Sequence, residues 1–410
     1  MRKSRVSALF LIAAQAIGQL ALLGVTPVLT RSFTPTELGP YQIALSLALL
    51  IQPALTLRLE VYIPTKHTQG EVSRMFQIGM IWMLVIASAG IVSAVVPLSL
   101  GHPEIAEIIL MAVLMSLAYG GAALDSAILI RAGQRRRLAI RSFLAGTVGA
   151  LLQLCVALWL PSVLYLACAI LAGRAISILV SRDWRTHRGD PSPHDRVLPS
   201  AGRLALTIVS SFAWNASSQS ISLVSGAFLG AGPAGVAGTS QRIASAPVTF
   251  IGQSLNQLIQ ESLSREVRDR TGQLTQTTFA HVFKLSMLSI ALAAVISVLA
   301  PLLAEPILGK GWGEVGVIVA ILAWPFSLQF AVGPATVLLP MLRKELSLFS
   351  LQIGRLVLVA LPTVVAAAYG GSLQQICIVY SATMVLSYVV AGFLLWTHAR
   401  QFDRENLRGA

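Results

Sequence analysis

The sequence contains few charged residues. Only 11% of its 410 residues are Asp, Glu, Lys or Arg, while 55% are hydrophobic. Ordinary soluble domains carry about 25% charged residues. The apolar residues also occur in runs of about 20 to 25, the length that crosses a hydrocarbon core as a helix. The composition therefore excludes an ordinary soluble protein and predicts an integral membrane protein.

Cysteine is scarce as well, and its spacing carries no motif. Cys155, Cys168 and Cys377 lie in apolar runs and form no CxxC pair, so we expect neither a disulfide framework nor a metal site. The sequence also lacks HExxH and GxSxG motifs, and its six histidines are scattered. Because the predicted outer loops are too short to hold an active site, we expect no enzyme and no cofactor.

Acidic residues are outnumbered by basic ones, 17 to 30, which gives a net charge of +13. In a soluble protein this excess would indicate a nucleic-acid partner, but the aromatic and basic surface of a nucleic-acid binder is absent. In membrane proteins, Lys and Arg accumulate in the cytoplasmic loops. The excess therefore predicts the topology of the chain rather than a nucleic-acid partner.

Apolar runs between polar breaks predict about twelve membrane-spanning helices. The first run continues to Leu29, which favours an uncleaved span over a signal peptide. In this assignment 26 of the 30 basic residues, with Arg141 and Arg355 among them, fall in segments on one side, and only Arg31 and Lys310 fall on the other. Both termini are therefore predicted to be cytoplasmic. The predicted spans are 7–30, 38–57, 77–100, 104–130, 138–160, 162–181, 204–229, 234–260, 282–304, 313–341, 349–369 and 374–397.

A polar stretch divides these spans into two halves. Residues 182–203 form the longest inner connection, and its two closely spaced prolines are typical of a linker. The turns at 30–42 and 227–241 resemble each other weakly, as duplicated halves would. The predicted domains are an N-terminal six-helix lobe (1–185), a cytoplasmic linker (186–199) and a C-terminal six-helix lobe (200–410).

Polar residues inside the predicted spans indicate where a site could lie, because each is costly in lipid unless it faces protein or water. Arg242 lies about eight residues, or about 12 Å, into the eighth span. It could bind an anionic group such as a phosphate, or it could form a buried ion pair or snorkel to the outer interface. Spans seven and eight are rich in amides and hydroxyls, which predicts either a hydrated interior or hydrogen bonds between helices. The amides of these spans, with two that share a face of span one, are Asn215, Gln219, Gln253, Asn256, Gln257, Gln260, Gln15 and Gln19.

Other charged residues within or near the spans have more than one interpretation. Arg58 and Glu60 end the second span, and residues two apart on a helix are not expected to face each other. Snorkelling is the expected role of Arg58 and of Arg174. Asp125 is expected to be buried, either paired with Arg131 or another nearby cation, or acting as a protonatable site.

Three segments resemble a known family. TPVLTRSFTPTELGPYQIALSLALLIQPALTLRLEVYIP (26–64) resembles the N-terminal signature of bacterial polysaccharide-biosynthesis flippases, in which a span ending in LTR and a turn precede a second span ending in LRLE. AGVAGTSQRIASAPVTFIGQSLNQLIQESLSRE (234–266) and LGKGWGEVGVIVAILAWPFSLQFAVGPATVLLPMLRKE (308–345) are similar to the eighth and tenth spans of that family. The chain departs from the family pattern at Gln260-Glu261-Ser262, where the family has Pro-x-x-Ser.

The resemblance implies the multidrug/oligosaccharidyl-lipid/polysaccharide exporter superfamily. It implies an all-α integral membrane fold, with about twelve transmembrane helices in two six-helix lobes around a central cavity, which works by alternating access. The implied substrate is a polyprenyl-diphosphate-linked oligosaccharide that moves from the inner to the outer leaflet of the bacterial inner membrane, for lipopolysaccharide or exopolysaccharide synthesis. The implied partners are this lipid-linked glycan, membrane lipids, the polysaccharide polymerase and glycosyltransferases.

Arg31, Arg58 and Arg242 match basic positions of the family pattern. The expected substrate-binding residues are Arg242, Arg58, Arg31, Asn215, Gln219, Gln15 and Gln19. Two alternatives stay open. A cation-coupled multidrug exporter of the same superfamily would favour acidic residues in its cavity, and a non-transporting scaffold of a polysaccharide assembly complex would need no cavity.

Overall fold

The regular structure of the described chain is entirely helical. The computed structural model describes residues 2–66, 68–181, 198–269, 273–342 and 344–409, without the side chains of 2–12, 247–258, 260, 261, 264, 265, 268, 269 and 407–409. Within these ranges, twelve helices have 19 or more residues, as the fold class predicted from the sequence requires.

The long helices are numbered in chain order. They are α1 (Arg2–Gly24), α2 (Pro35–Leu55), α3 (Gln69–Ser99), α4 (Pro103–Arg131), α5 (Arg135–Trp159), α6 (Val163–Ser181), α7 (Ala201–Leu229), α8 (Ala231–Asp269), α9 (Leu274–Leu308), α10 (Gly313–Val332), α11 (Glu345–Ala368) and α12 (Leu373–Gly409). Short helical segments cover Thr26–Ser32, Leu59–Tyr62, Ile63–Thr65, Gly333–Val337 and Leu338–Met341. Each predicted span overlaps one long helix, and the predicted breaks after α5 and after α11 are both present.

Ten of the twelve long helices are long and apolar enough to cross a membrane, judged over the described residues. The other two are α7 and α8, the pair whose polar composition the sequence analysis singles out. They are 29 and 39 residues long, and about 20 residues suffice to cross the hydrocarbon core. The chain is therefore a multi-pass membrane protein in which two long helices are unusually polar.

The described chain forms two compact units. The first consists of Met1–Asn215 and Gly230–Gly235, and the second of Ala216–Leu229 and Val236–Ala410. Helix α7 thus contributes its first half to one unit and its second half to the other. Residues 186–197 of the predicted linker (186–199) lie outside the described residues, so the role of the linker stays a prediction.

Capping boxes fix the beginnings of α2 and α3 in the first unit. The Thr34 hydroxyl accepts the N–H of Glu37 at 3.3 Å, and the Glu37 carboxylate accepts the N–H of Thr34 at 2.7 Å. Thr68 and Glu71 repeat this exchange at α3. Such boxes satisfy helix donors that have no intrahelical acceptor. They explain why α3 begins at Gln69, eight residues before the predicted span.

The two turns whose sequences resemble each other lie against one another in the first unit. A Cβ on Gly39 would overlap the carbonyl oxygen of Ala231, and a Cβ on Gly235 would overlap that of Pro35. The contact is reciprocal. Gly39 comes four residues after Pro35, and Gly235 comes four residues after Ala231. Close backbone approach at small residues is common between membrane helices, and here it excludes a side chain at either position.

Asp403, on the C-terminal helix α12, caps α9 in the second unit. Its two carboxylate oxygens accept the backbone N–H groups of Leu274 at 3.2 Å and Thr275 at 2.8 Å. Asp403 is buried, and a negative charge at a helix N-terminus is favourable. This contact is tertiary, since 129 residues separate Asp403 from Leu274.

Replacing Asp403 with Ala is expected to destabilise the second unit by about 0.5–2 kcal/mol, the usual cost of losing a helix N-cap. Hydrogen exchange at the amides of Leu274 and Thr275, in purified protein, would locate the effect. Asp403→Asn is the matched control, because an amide oxygen can still accept one N–H. Unchanged exchange in the Ala variant would contradict the capping role.

Candidate functional site

A hydrogen-bonded polar cluster joins α7, α8 and α12 in the second unit. The carbonyl oxygen of Ser218 accepts from Gln241 Nε2 at 2.9 Å and from the hydroxyl of Tyr380 at 3.3 Å. The Ser222 hydroxyl donates to Gln241 Oε1 at 3.2 Å. Both ends of the Gln241 amide are therefore engaged, which fixes its orientation. We call Ser218, Ser222, Gln241 and Tyr380 the polar cluster.

Arg242 directly follows the amide at the centre of this cluster. It is the twelfth residue of α8, so it lies about 16 Å along the helix from Ala231. Its side chain is half-buried, and Ser245 donates to its carbonyl oxygen at 3.3 Å. Because successive helix residues point in different directions, the polar cluster anchors the helix while Arg242 leaves from another side. Arg242 is thus deeper in its helix than the sequence predicted.

The other amides predicted from the sequence lie on three helices, α7, α1 and α8. Gln219, next to Ser218 on α7, is half-buried. Asn215 donates to the carbonyl oxygen of Leu49 at 2.6 Å, which is an interhelical hydrogen bond of the kind offered as the alternative to a hydrated interior. Gln15 and Gln19 are half-buried on α1. The amides predicted further along α8 lie outside the described side chains: Gln253, Asn256, Gln257 and Gln260.

The expectation that Arg58 and Glu60 do not face each other is wrong. Arg58 Nη1 lies 3.1 Å from Glu60 Oε1. The helical geometry assumed for these residues does not apply, because α2 ends at Leu55 and both Leu57 and Arg58 have positive φ values, 51° and 53°. Such values are uncommon for residues other than glycine. The Arg58 side chain is 29% exposed, so its guanidinium is paired but still accessible.

Asp125 is paired with a nearby cation, Arg141, as one of the two interpretations expected. Arg141 of α5 donates to the Asp125 carboxylate at 2.8 Å and to the hydroxyl of Ser126 at 2.6 Å, and it also bonds the carbonyl oxygen of Ala122. Arg131 donates to the carbonyl oxygen of Lys66 at 2.9 Å, in the connection before α3. The side chains of Asp125 and Arg141 are 2% and 5% exposed. The pair therefore sits inside the first unit.

The charge pattern assigned Arg141 and Arg355 to segments on the inner side, whereas the structure places both inside long helices. Arg141 lies within α5 and Arg355 within α11, and both are buried. Arg174, expected to snorkel, stacks its guanidinium on the ring of Tyr119, 3.9 Å from the centroid. Arg31, at the end of the short helix Thr26–Ser32, is exposed.

Several of the residues that build these sites were not predicted. Gln241, Tyr380 and the partner role of Arg141 emerge only from the packing of separate helices. The sequence alone could have indicated Arg355 as an unusual residue, because this arginine lies inside an apolar run, ten residues after Glu345. Within the described ranges, no three His, Cys, Asp or Glu side chains come together as a metal site would need.

The helices and these polar sites define a class: an all-α, multi-pass membrane protein of two units, with arginines and amides inside its long helices. The chain belongs to the polysaccharide biosynthesis protein family, whose model matches residues 28–317. No curated protein matches the chain significantly.

Solved structures identify the fold as that of the MATE transporters and their superfamily, MOP. The MATE multidrug transporter DinF-BH is 17% identical, with a TM-score of 0.67 over 97% of this chain and 96% of that one. A mutant of the Vibrio cholerae MATE transporter VcmN is 13% identical, with a TM-score of 0.63 over 98% of each chain. A MOP superfamily transporter from Pyrococcus furiosus, for which reverse polarity of the binding pocket suggests a different function, is 14% identical. Its TM-score is 0.64 over 97% of this chain and 96% of that one.

Proposed function

We propose that this protein is a flippase that moves a polyprenyl-diphosphate-linked oligosaccharide from the inner to the outer leaflet, by alternating access, for surface polysaccharide synthesis. The family match over residues 28–317 and the MATE-like fold support a membrane transporter in polysaccharide biosynthesis. The proposed location is the bacterial inner membrane with both termini cytoplasmic. The proposed partners are the polysaccharide polymerase and the glycosyltransferases that consume and supply the lipid-linked glycan.

The sign of the buried charge carries the proposal. Among the described side chains within the predicted spans, the fully buried charged residues are Arg141, Arg355 and Asp125. Asp125 is neutralised by Arg141, so the sum of the three is one positive charge. The half-buried charged residues of the predicted spans, Arg174, Arg242 and Glu107, add one more positive charge in sum. A lipid-linked diphosphate is anionic, and guanidinium groups bind phosphate oxygens in pairs. A positive interior therefore suits this cargo.

The same observation disfavours a cation-coupled multidrug exporter. DinF-BH is a multidrug transporter of the same fold, so the fold alone leaves that function open. A cationic drug or a coupling proton would need an accessible acid. The most buried carboxylate among the described side chains, Asp125, already accepts from Arg141. The Pyrococcus furiosus transporter illustrates that pocket polarity can differ within this fold.

Reconstitution of the purified full chain into lipid vesicles tests the proposal. The vesicles would carry a fluorescent polyprenyl-diphosphate oligosaccharide in both leaflets, and a membrane-impermeant reductant would quench the outer one. We expect quenching to proceed to near completion with the protein and to stop at the outer-leaflet fraction in empty vesicles. Labelled phosphatidylglycerol, which lacks the glycan, is the control cargo and should stay protected.

Two results would contradict the proposal. Quenching of the glycan lipid that stops at the outer-leaflet fraction, with correctly folded protein, would favour the scaffold alternative. Accumulation of a cationic dye against its gradient, without movement of the glycan lipid, would favour the multidrug exporter.

A further inference from the structure

Helix α2 and the segment after it contact the first half of α7 and the start of α8 at three levels of the first unit. Near the beginning of α7, the Tyr62 hydroxyl lies 2.8 Å from the Thr207 hydroxyl. Further along α7, Asn215 donates to the carbonyl oxygen of Leu49 at 2.6 Å. At the other end, the beginnings of α2 and α8 meet at their glycines. We call these three contacts the α2 seam.

The contact between Tyr62 and Thr207 has a defined direction. Thr207 donates to the carbonyl oxygen of Arg203 at 2.8 Å, and a hydroxyl has only one hydrogen to donate. The Thr207 oxygen therefore accepts from Tyr62, whose hydroxyl also lies 3.5 Å from the Arg203 carbonyl oxygen. Both acceptors lie in the first two turns of α7, which begins at Ala201. Removing the Tyr62 hydroxyl would remove both contacts.

Apolar packing supports this end of the seam. Leu204 of α7 packs against the buried cluster that contains Leu59 and Ile63. These two residues belong to the short helical segments Leu59–Tyr62 and Ile63–Thr65, and each is 0% exposed. The segments that carry Tyr62 are therefore fixed by their own buried side chains, and they place its hydroxyl against α7.

A strained turn precedes these short helical segments. Leu57 and Arg58 have φ values of 51° and 53°, a left-handed conformation that costs free energy in residues other than glycine. Such strain persists only where the surrounding contacts hold it, and the hydrogen bond of Tyr62 is one of the contacts that follow the turn. Release of this bond would weaken the hold on the turn, so the segment from Leu57 to Thr65 is suited to two conformations.

Helix α7 makes the α2 seam part of any movement between the two units. Its residues up to Asn215 belong to the first unit, and those from Ala216 onward belong to the second. If the units move, α7 has to bend at this boundary or its first half has to leave α2. The predicted topology places the beginning of α7, and with it the contact of Tyr62, at the cytoplasmic side.

We propose that the hydrogen bond from Tyr62 to Thr207 is a latch that keeps the cytoplasmic end of the α2 seam closed, and that the protein opens to the cytoplasm when this bond is released. The inference rests on the proposed function, because alternating access requires each side to open in turn. The glycines at the other end pack backbone against backbone, whereas hydroxyl groups and Leu204 hold the cytoplasmic end. The cytoplasmic end is therefore the one that separates at lower cost.

Distances between two spin labels in the purified full chain, reconstituted in lipid without cargo, test the latch. The labels would be attached at Val61→Cys and Ala205→Cys, two exposed positions on either side of the contact. A closed seam gives a short distance between the labels, and an open seam gives a longer one. The native cysteines would first be replaced with Ala: Cys155, Cys168 and Cys377.

Tyr62→Phe and Thr207→Val each remove one hydroxyl of the latch. Each is expected to raise the ratio of long to short distances about twofold to tenfold, the usual effect of losing one hydrogen bond. The double variant should show no larger shift than either single variant, because both substitutions remove the same bond. Thr207→Ser keeps the hydroxyl and should keep the wild-type ratio. Tyr369→Phe is the matched control, since it removes a hydroxyl from a tyrosine that is 88% exposed at the end of α11.

Three results would overturn the latch. The first is an unchanged ratio in both single variants. The second is a pair of shifts that add in the double variant, and the third is a shift in Thr207→Ser as large as in Thr207→Val, which would indicate general loosening of α7.

The vesicle assay separates this inference from the proposed function. Movement of the glycan lipid by the wild type, with unchanged distances in Tyr62→Phe and Thr207→Val, would refute the latch alone. Shifted distances in the variants, without movement of the glycan lipid by the wild type, would refute the proposed function. The opening of the seam would then stand as a property of the fold.

Discussion

Replacing Arg141 with Met is expected to destabilise the first unit by about 3–5 kcal/mol, the usual cost of removing one member of a buried ion pair. The Asp125 carboxylate is 2% exposed and lies 2.8 Å from the Arg141 guanidinium. Met keeps a long apolar side chain in the same space, so the loss is electrostatic rather than a cavity effect. Thermal unfolding of the purified full chain in detergent measures the change.

The double variant Asp125→Leu with Arg141→Met is the matched control. Replacing a whole buried ion pair with apolar residues is often neutral or stabilising, so its unfolding temperature should return close to that of the wild type. The same variant decides between the two roles considered for Asp125. Normal surface polymer supports a structural pair, whereas lost polymer at normal stability would indicate a protonatable site. An Arg141→Met variant as stable as the wild type would contradict the ion pair's role.

The sequence was sufficient for the fold because hydrophobic length is a local signal. Each helix that crosses the membrane needs its own apolar run, so twelve runs predicted twelve long helices, including the separation of α5 from α6. The ends were less accurate, because helices continue beyond the apolar run into water. The span that corresponds to α3 was predicted to begin at residue 77. The Thr68-x-x-Glu71 capping-box pattern in the sequence could have placed the beginning of the helix at residue 69.

The site could be predicted only in part, because contacts between helices depend on which faces meet. Arg242 is predicted to be an intramembrane cation from its position alone, and the structure shows it half-buried in α8. Its neighbour Gln241 was not identified, since the hydrogen bonds of Gln241 depend on how α7 packs against α8. Asp125 and Arg141 are 16 residues apart on consecutive helices, and nothing in the spacing favours Arg141 over the nearer Arg131.

The pair formed by Arg58 and Glu60 shows a different limit. The sequence LTLRLE continues the apolar pattern of α2, so it favours an unbroken helix. The helix nevertheless ends at Leu55, and two consecutive residues other than glycine adopt the left-handed conformation. No local residue type encodes such a break, and backbone strain of this kind persists only where surrounding packing supports it. Leu59, which follows the break, is completely buried in a cluster with Val72 and Leu124.

The second large effect is expected at Arg242. Arg242→Glu should reduce export of surface polymer by about 100-fold, because a phosphate contact worth about 1.5–3 kcal/mol corresponds to about tenfold to 150-fold in affinity, and a carboxylate adds repulsion. Arg242→Gln should show a smaller loss, and Arg242→Lys the smallest, since Lys keeps the charge but not the paired hydrogen bonds. Quantified surface polymer, corrected for the amount of protein in the membrane, measures the series.

Arg400 provides the control for net charge. It is exposed on α12, outside the predicted spans, where its guanidinium lies 5.1 Å from the centroid of the Trp396 ring. Arg400→Glu changes the charge of the chain by the same amount as Arg242→Glu and should leave export nearly unchanged. An equal loss in both variants would attribute the effect to topology or net charge. Loss graded from Lys to Gln to Glu at Arg242 alone, with the unfolding temperature of each variant unchanged, is the result expected if that guanidinium meets the anionic cargo. A graded loss that follows a lowered unfolding temperature would instead indicate a structural ion pair.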